Sequence, residues 1–167
     1  RDGLKSVKLH QKVVELRPDY YDAYLTLGTY HYVVGAVPLG FRLIANMAGI
    51  WGGKKKGIAE LELVVAKGTF NREDARTVLI AIYRNENTPG KALGELERFV
   101  ARYPGNALLR MELALTLAQM GRGAEAEAMF EALLRGADQR LADLTSYQYG
   151  EALAMGRQFG RAATRFA

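Results

Sequence analysis

Apolar residues recur along this chain at a fixed spacing of 34 residues: Ala92, Leu96 and Phe99 in one segment, then Ala126, Phe130 and Leu133 in the next. Ahead of each run stands a second ladder, Leu79, Ile80 and Tyr83 in the first copy and Leu113, Ala114 and Leu117 in the second. Spacings of one, three and four residues place each set along one face of a helix. Two helices per period, with a small residue where they touch, predict helical hairpins, since close packing needs small side chains at the crossing. Pro104, Gly105 and Asn106 end one hairpin and open the next. The polar positions between the ladders, Glu95, Glu97 and Arg98, then Glu125, Glu127, Glu131 and Arg135, read as solvated outer faces.

The pattern extends in both directions. Asp19 to Tyr24, followed by Leu27, Gly28 and His31, fits the first helix of an earlier repeat. Pro18 closes a still earlier helix, and Tyr149, Gly150, Leu153, Ala162 and Phe166 make a last copy displaced by two residues. The predicted architecture is an all-α helical-hairpin solenoid of about four hairpins, a single domain over 1–167. Its parts are a lone second helix at 4–17, a repeat at 21–67 with an insertion at 35–53, repeats at 73–104 and 107–136, and an incomplete repeat at 142–167. These residues resemble the tetratricopeptide repeat family, whose motif has Trp, Leu, Gly and Tyr in the first helix, Ala, Phe and Ala in the second, and Pro at the join. The likeness is strongest over Ala75 to Leu134. Position four of the motif, often Trp, is Tyr24, Arg76, Arg110 and Ser146 in the four copies here.

About nineteen residues, 35–53, separate the two helices of the early repeat, where two to eight are usual. Within them Leu39 to Gly49 can form a helix with Phe41, Leu43, Ile44 and Met47 around most of its circumference, and Trp51 follows. A helix so apolar needs a cover. The first expectation is that it folds back into this protein's own groove. A partner protein or a membrane surface is the alternative. Lys54, Lys55 and Lys56 come next, read first as a solvated run that could also attract an acidic partner or anionic lipid. The segment from Ala23 to Gly68, with Leu25-x-x-Gly28-x-Tyr30-His31-Tyr32, the apolar insert and the Gly-Gly-Lys-Lys-Lys-Gly run, resembles tetratricopeptide proteins of bacteria related to a mitochondrial outer-membrane protein. That likeness implies protein association near membranes without enzymatic activity, in a bacterial periplasmic or membrane-associated setting rather than a cytoplasmic one.

Composition narrows the picture further. The 167 residues are 49% hydrophobic and 25% charged, enough to bury a core. The net charge of +5 does not cluster as a nucleic-acid footprint would. Pro38 and five glycines cut the apolar run from Tyr32 to Gly53 into pieces, which argues against a membrane span. The chain opens on Arg1 rather than Met, so something upstream is expected to have been removed or left out, and a signal peptide or lipid anchor could have been lost there.

Little in the chain points to catalysis, to a cofactor or to a metal. There is no cysteine, and His10 and His31 are the only histidines. His31 takes the inward position that Tyr83 and Leu117 hold in later copies and is expected to pack in the core. Ser6 and Ser146 lack the turn of a nucleophilic serine, and the Gly52-Gly53-Lys54 stretch lacks the upstream glycine and following Ser/Thr of a phosphate loop.

The expected function is therefore non-catalytic protein binding. Transferring the tetratricopeptide motif residue by residue puts Leu25, Thr29 and Tyr32, then Ala81 and Arg84, Met111 and Leu115, and Tyr147 and Gln148 on a concave surface. The Lys/Asn/Arg clamp by which chaperone-binding members hold a terminal carboxylate is replaced by Leu25, Thr26, Thr29, Thr77, Val78 and Ala81. The expected partner is a protein or peptide, as a helix or extended segment. The alternative is a membrane-peripheral or self-associating module that uses the insertion contacts Phe41, Leu43, Ile44, Met47 and Trp51.

Overall fold

The computed structural model describes residues 2–166, and these form helices without a strand. Their contacts divide the chain into two compact units, 1–82 and 83–167. The first contains α1 (Asp2–Leu16), a 3-10 turn at Tyr21–Ala23, α2 (Tyr24–Ala36), α3 (Leu39–Met47), α4 (Lys54–Lys67) and most of α5 (Arg72–Asn85). The second contains the last turn of α5, then α6 (Pro89–Arg102), α7 (Ala107–Gln119), α8 (Gly123–Leu134), α9 (Gln139–Met155) and α10 (Phe159–Phe166).

In the first unit α2 and α4 pair across the insertion, and glycines set the spacing. A Cβ on Gly28 would lie 2.8 Å from Leu61 Cγ and 2.9 Å from the Gly57 carbonyl. One on Gly57 would overlap the Tyr32 backbone nitrogen and the Gly28 carbonyl, and one on Gly35 would lie 2.6 Å from Gly53 Cα. Gly28, Tyr32 and Gly35 follow the four-and-three spacing of one helix face, so this whole strip of α2 meets α4 backbone to backbone. Leu61 and Val64, both 0% exposed, fill the contact further along. The Gly53 N–H donates to the His31 carbonyl at 2.9 Å, fastening the start of α4 to α2.

A single carboxylate joins the start of α2 to the start of α5. Asp22, 5% exposed, accepts from the backbone N–H groups of Thr69 (3.0 Å), Phe70 (3.0 Å) and Asn71 (2.7 Å). Asn71 Nδ2 donates back to the Asp22 carbonyl at 3.3 Å. Otherwise unpaired donors at a helix start favour a negative group there. Burial pushes the Asp22 carboxyl up, but the three N–H donors and the nearby Arg72 charge hold it below its ordinary range.

The second unit repeats one turn three times. The Thr88 N–H donates to the Tyr83 carbonyl at 2.8 Å, that of Arg122 to Leu117 at 2.9 Å, and that of Gln158 to Leu153 at 2.9 Å. Each turn contains a left-handed residue: Asn87 (φ 52°), Gly121 (φ 78°) and Arg157 (φ 59°). These stand 34 and then 36 residues apart, which is the two-residue displacement of the last copy. The ladder residues Ala92, Leu96, Ala126 and Phe130 are all at most 1% exposed. Phe130 stacks on Tyr149 at 5.2 Å. Beside them Glu127 accepts from Arg161 (2.6 Å), Tyr149 (3.2 Å) and Gln158 (3.3 Å), tying α8, α9 and α10.

Two outcomes follow from this packing. Gly57→Ala lowers the unfolding free energy by about 2 kcal/mol or more through backbone overlap, whereas Gly94→Ala, in open space within α6, raises it by about 0.5–1 kcal/mol; urea titration of the two variants checks both signs. Because folding depresses the Asp22 carboxyl, its stabilisation is fully present above the unfolded value near ~4 and is lost as pH falls through the folded value. Asp22→Ala costs about 3 kcal/mol at neutral pH, and the stability gap between wild type and Asp22→Asn narrows below about pH 4 in denaturation curves taken across that range.

Candidate functional site

An open, mainly apolar groove of about 540 Å³ lies in the first unit. Gly3 and Val7 of α1 form one wall, Leu25, Thr26, Thr29, Tyr30 and Val33 of α2 the floor, and Asp74 and Val78 of α5 the other wall. The α2 residues recur at three and four positions, on the side of the helix away from Gly28 and Gly35. Polar groups here are mostly satisfied within the wall: the Thr29 hydroxyl donates to the Leu25 carbonyl at 2.8 Å. His10 Nδ1–H donates to the Ser6 carbonyl at 2.8 Å, leaving Nε2 to accept from the Thr26 hydroxyl at 3.4 Å. Exposed Asp74 is the one carboxylate of the lining. The surface therefore suits an apolar segment that carries a donor or a positive charge at one edge.

Of the residues expected on a concave surface, Leu25, Thr26, Thr29, Val33 and Val78 are found here. Tyr32 is 8% exposed and lies elsewhere, because it continues the Gly28 strip whose backbone meets Gly57. Ala81 is exposed outside this lining.

In the second unit Met111, Leu115 and Gln148 come together, with Leu108, Glu112 and Leu144, around a depression of about 250 Å³. Met111 (3% exposed) and Leu115 (5% exposed) are chiefly core residues. Arg84 forms an ion pair with Glu112 at this place. Tyr147 turns away: its ring tilts against Phe166 at 5.6 Å and lines a separate depression with Ser146 and Arg165. Neighbours on a helix point about 100° apart, which separates Tyr147 from Gln148.

The insertion does not enter the groove. No residue of α3 is buried, and Phe41 (69% exposed), Met47 (90%) and Trp51 (64%) face solvent together with Leu43 and Ile44. This corrects the expectation of a helix folded back into its own groove. Arg42, Ala45 and Asn46 are the half-buried positions of α3, and Arg42 donates to the Gly35 carbonyl at 3.5 Å. The helix rests on its polar and small side, so its apolar side is left outward.

The titratable group nearest to a catalytic arrangement is His31. Its Nδ1 lies 2.6 Å from Glu60 Oε2 and its Nε2 lies 3.3 Å from Lys56 Nζ. With a carboxylate on one nitrogen and an ammonium on the other, Nδ1–H donates and Nε2 accepts, so neither nitrogen is free for a substrate. Among the described residues no cluster of His, Asp and Glu has metal-binding geometry. Sequence reasoning placed Val33 on this surface and missed Gly3, Val7, Tyr30 and Asp74 as groove residues. The alternation of Leu25, Thr29 and Val33 was the available signal for the floor; Asp74 and Val7 needed the packing of α1 and α5.

Residues 84–146 match the tetratricopeptide repeat family model. The span covers α6, α7 and α8 and stops within α9, so it does not reach the segment from Ala23 to Gly68. No curated protein and no solved structure matches the chain. Tetratricopeptide repeats generally mediate protein–protein interaction.

Glu60→Ala leaves the buried His31 donor without its acceptor. The expected loss is about 1–3 kcal/mol in thermal or chemical unfolding, while Glu62→Ala, at an exposed position of α4, changes stability by no more than about 0.5 kcal/mol.

Proposed function

We propose that this protein is a non-catalytic scaffold that holds an apolar segment of a partner protein in the groove between α1, α2 and α5. The observation that carries the reading is the open groove itself, floored by Leu25, Thr29 and Val33 and left clear by the insertion helix. Protein binding in general is also what the family match at residues 84–146 supports. A helical or extended ligand would set two or three apolar side chains against the α2 floor, with a Lys, Arg or amide group near Asp74. On the floor Leu25, Thr26, Thr29 and Tyr30 are half-buried and Val33 is exposed, so they can meet a partner without disturbing the core.

This makes Leu25 a better test than Leu115, whose burial would turn a charge substitution into a folding defect. A displayed peptide library selected on the intact chain is expected to enrich apolar segments with a basic residue. Leu25→Glu should weaken the selected peptides by about tenfold or more, with unchanged circular dichroism, and Asp74→Asn should reduce the preference for the basic residue. Peptides that bind Leu25→Glu as well as wild type would overturn the groove reading.

A further inference from the structure

The outward face of α3 is an amphipathic helix mounted in reverse. Leu39, Leu43, Met47, Ile44 and Phe41 sweep about half of the helical circumference, and each is at least 64% exposed. Arg42, Ala45 and Asn46 occupy the remaining arc and are half-buried. Soluble proteins place these two sides the other way round, so a contiguous apolar strip of this kind marks a surface that another phase or molecule covers.

The chemistry beside the strip indicates which. Trp51 follows α3 and is 64% exposed, and Lys54, Lys55 and Lys56 follow Trp51, with the Lys56 side chain 63% exposed. From Asp22 to Glu60 the chain has no acidic residue between them. Along the chain, aliphatic and phenyl groups are followed by an indole and then by ammonium groups, the side chains that favour hydrocarbon, the interface and anionic headgroups respectively. The helix has nine residues, and no described helix is long and apolar enough to cross a membrane, so α3 would lie in the plane of the interface.

We propose that the apolar face of α3, together with Trp51 and the Lys54–Lys56 run that follow it in the chain, docks this protein on an anionic lipid bilayer. The inference rests on α3 and its flank alone and is independent of the α1/α2/α5 groove.

Trp51 is the sole tryptophan of the chain and reports the contact directly. Titration with vesicles of equimolar phosphatidylcholine and phosphatidylglycerol is expected to shift its emission to the blue and shield it from acrylamide. Pure phosphatidylcholine vesicles should do so weakly, and added salt should reverse the anionic response. The double variant Phe41→Ser, Met47→Ser should bind at least about tenfold more weakly, with its helical circular dichroism unchanged. Lys55→Gln should weaken binding about fivefold, and Leu25→Glu should leave it as in wild type. No change in Trp51 emission at saturating anionic lipid would overturn the proposal, as would equal affinity in all variants. A blue shift that appears without lipid and grows with protein concentration would also overturn it, since a second copy would then be the cover.

Discussion

The backbone of α2 lies directly on the backbone of α4, and most of what distinguishes the first unit depends on that contact. Helices ordinarily keep 8–10 Å between axes because side chains intervene. Gly28, Gly35 and Gly57 remove the intervening atoms, so the carbonyl of one helix faces the Cα of the other. Close approach brings Glu60 within reach of His31 and leaves the opposite side of α2 as the groove floor. A looser pair would separate the buried imidazole from its carboxylate and leave the Nδ1–H donor without an acceptor, so the glycine contact and the buried hydrogen bond support one another.

Asp22 extends this arrangement to the next helix. One carboxylate gathers three consecutive N–H groups just before α5, and so sets where the Asp74 and Val78 wall begins relative to α2. The second unit reaches similar order by other means. There the small residues are alanines, the turns repeat the same bond, and Glu127 binds three helices through its two oxygens. Both units are helical hairpins, built in one case on backbone contact and in the other on interleaved side chains.

Periodicity made the second unit legible in the sequence, because Ala92, Leu96, Ala126 and Phe130 obey a spacing that only packed hairpins impose. The two-residue displacement of the last copy was likewise visible, and it reappears in the turns at Gly121 and Arg157. The groove was legible in part. Leu25 and Thr29 share a face whatever lies above it, whereas Tyr32 was misplaced because a motif transferred from other repeats cannot register that glycines have drawn α4 onto that side. The repeat motif puts Leu115 and Met111 on a concave side, yet their depth depends on how closely α9 packs on α7. The insertion shows the same limit. Its composition announced a helix in need of cover, but the small polar arc of Arg42, Ala45 and Asn46, which turns it outward, carries no signal until the helix is seated.

The contact between Gly35 and Gly53 has one more consequence. The chain leaves the hairpin and returns to it at the same point, since these two residues touch. Everything between them is an excursion whose ends are already closed by the α2–α4 pair, and the entropy of such a loop grows only with the logarithm of its length. The hairpin is thus indifferent to the size of what it carries there. Descendants of this sequence could lengthen, shorten or exchange the excursion in single steps while the scaffold beneath it stayed the same.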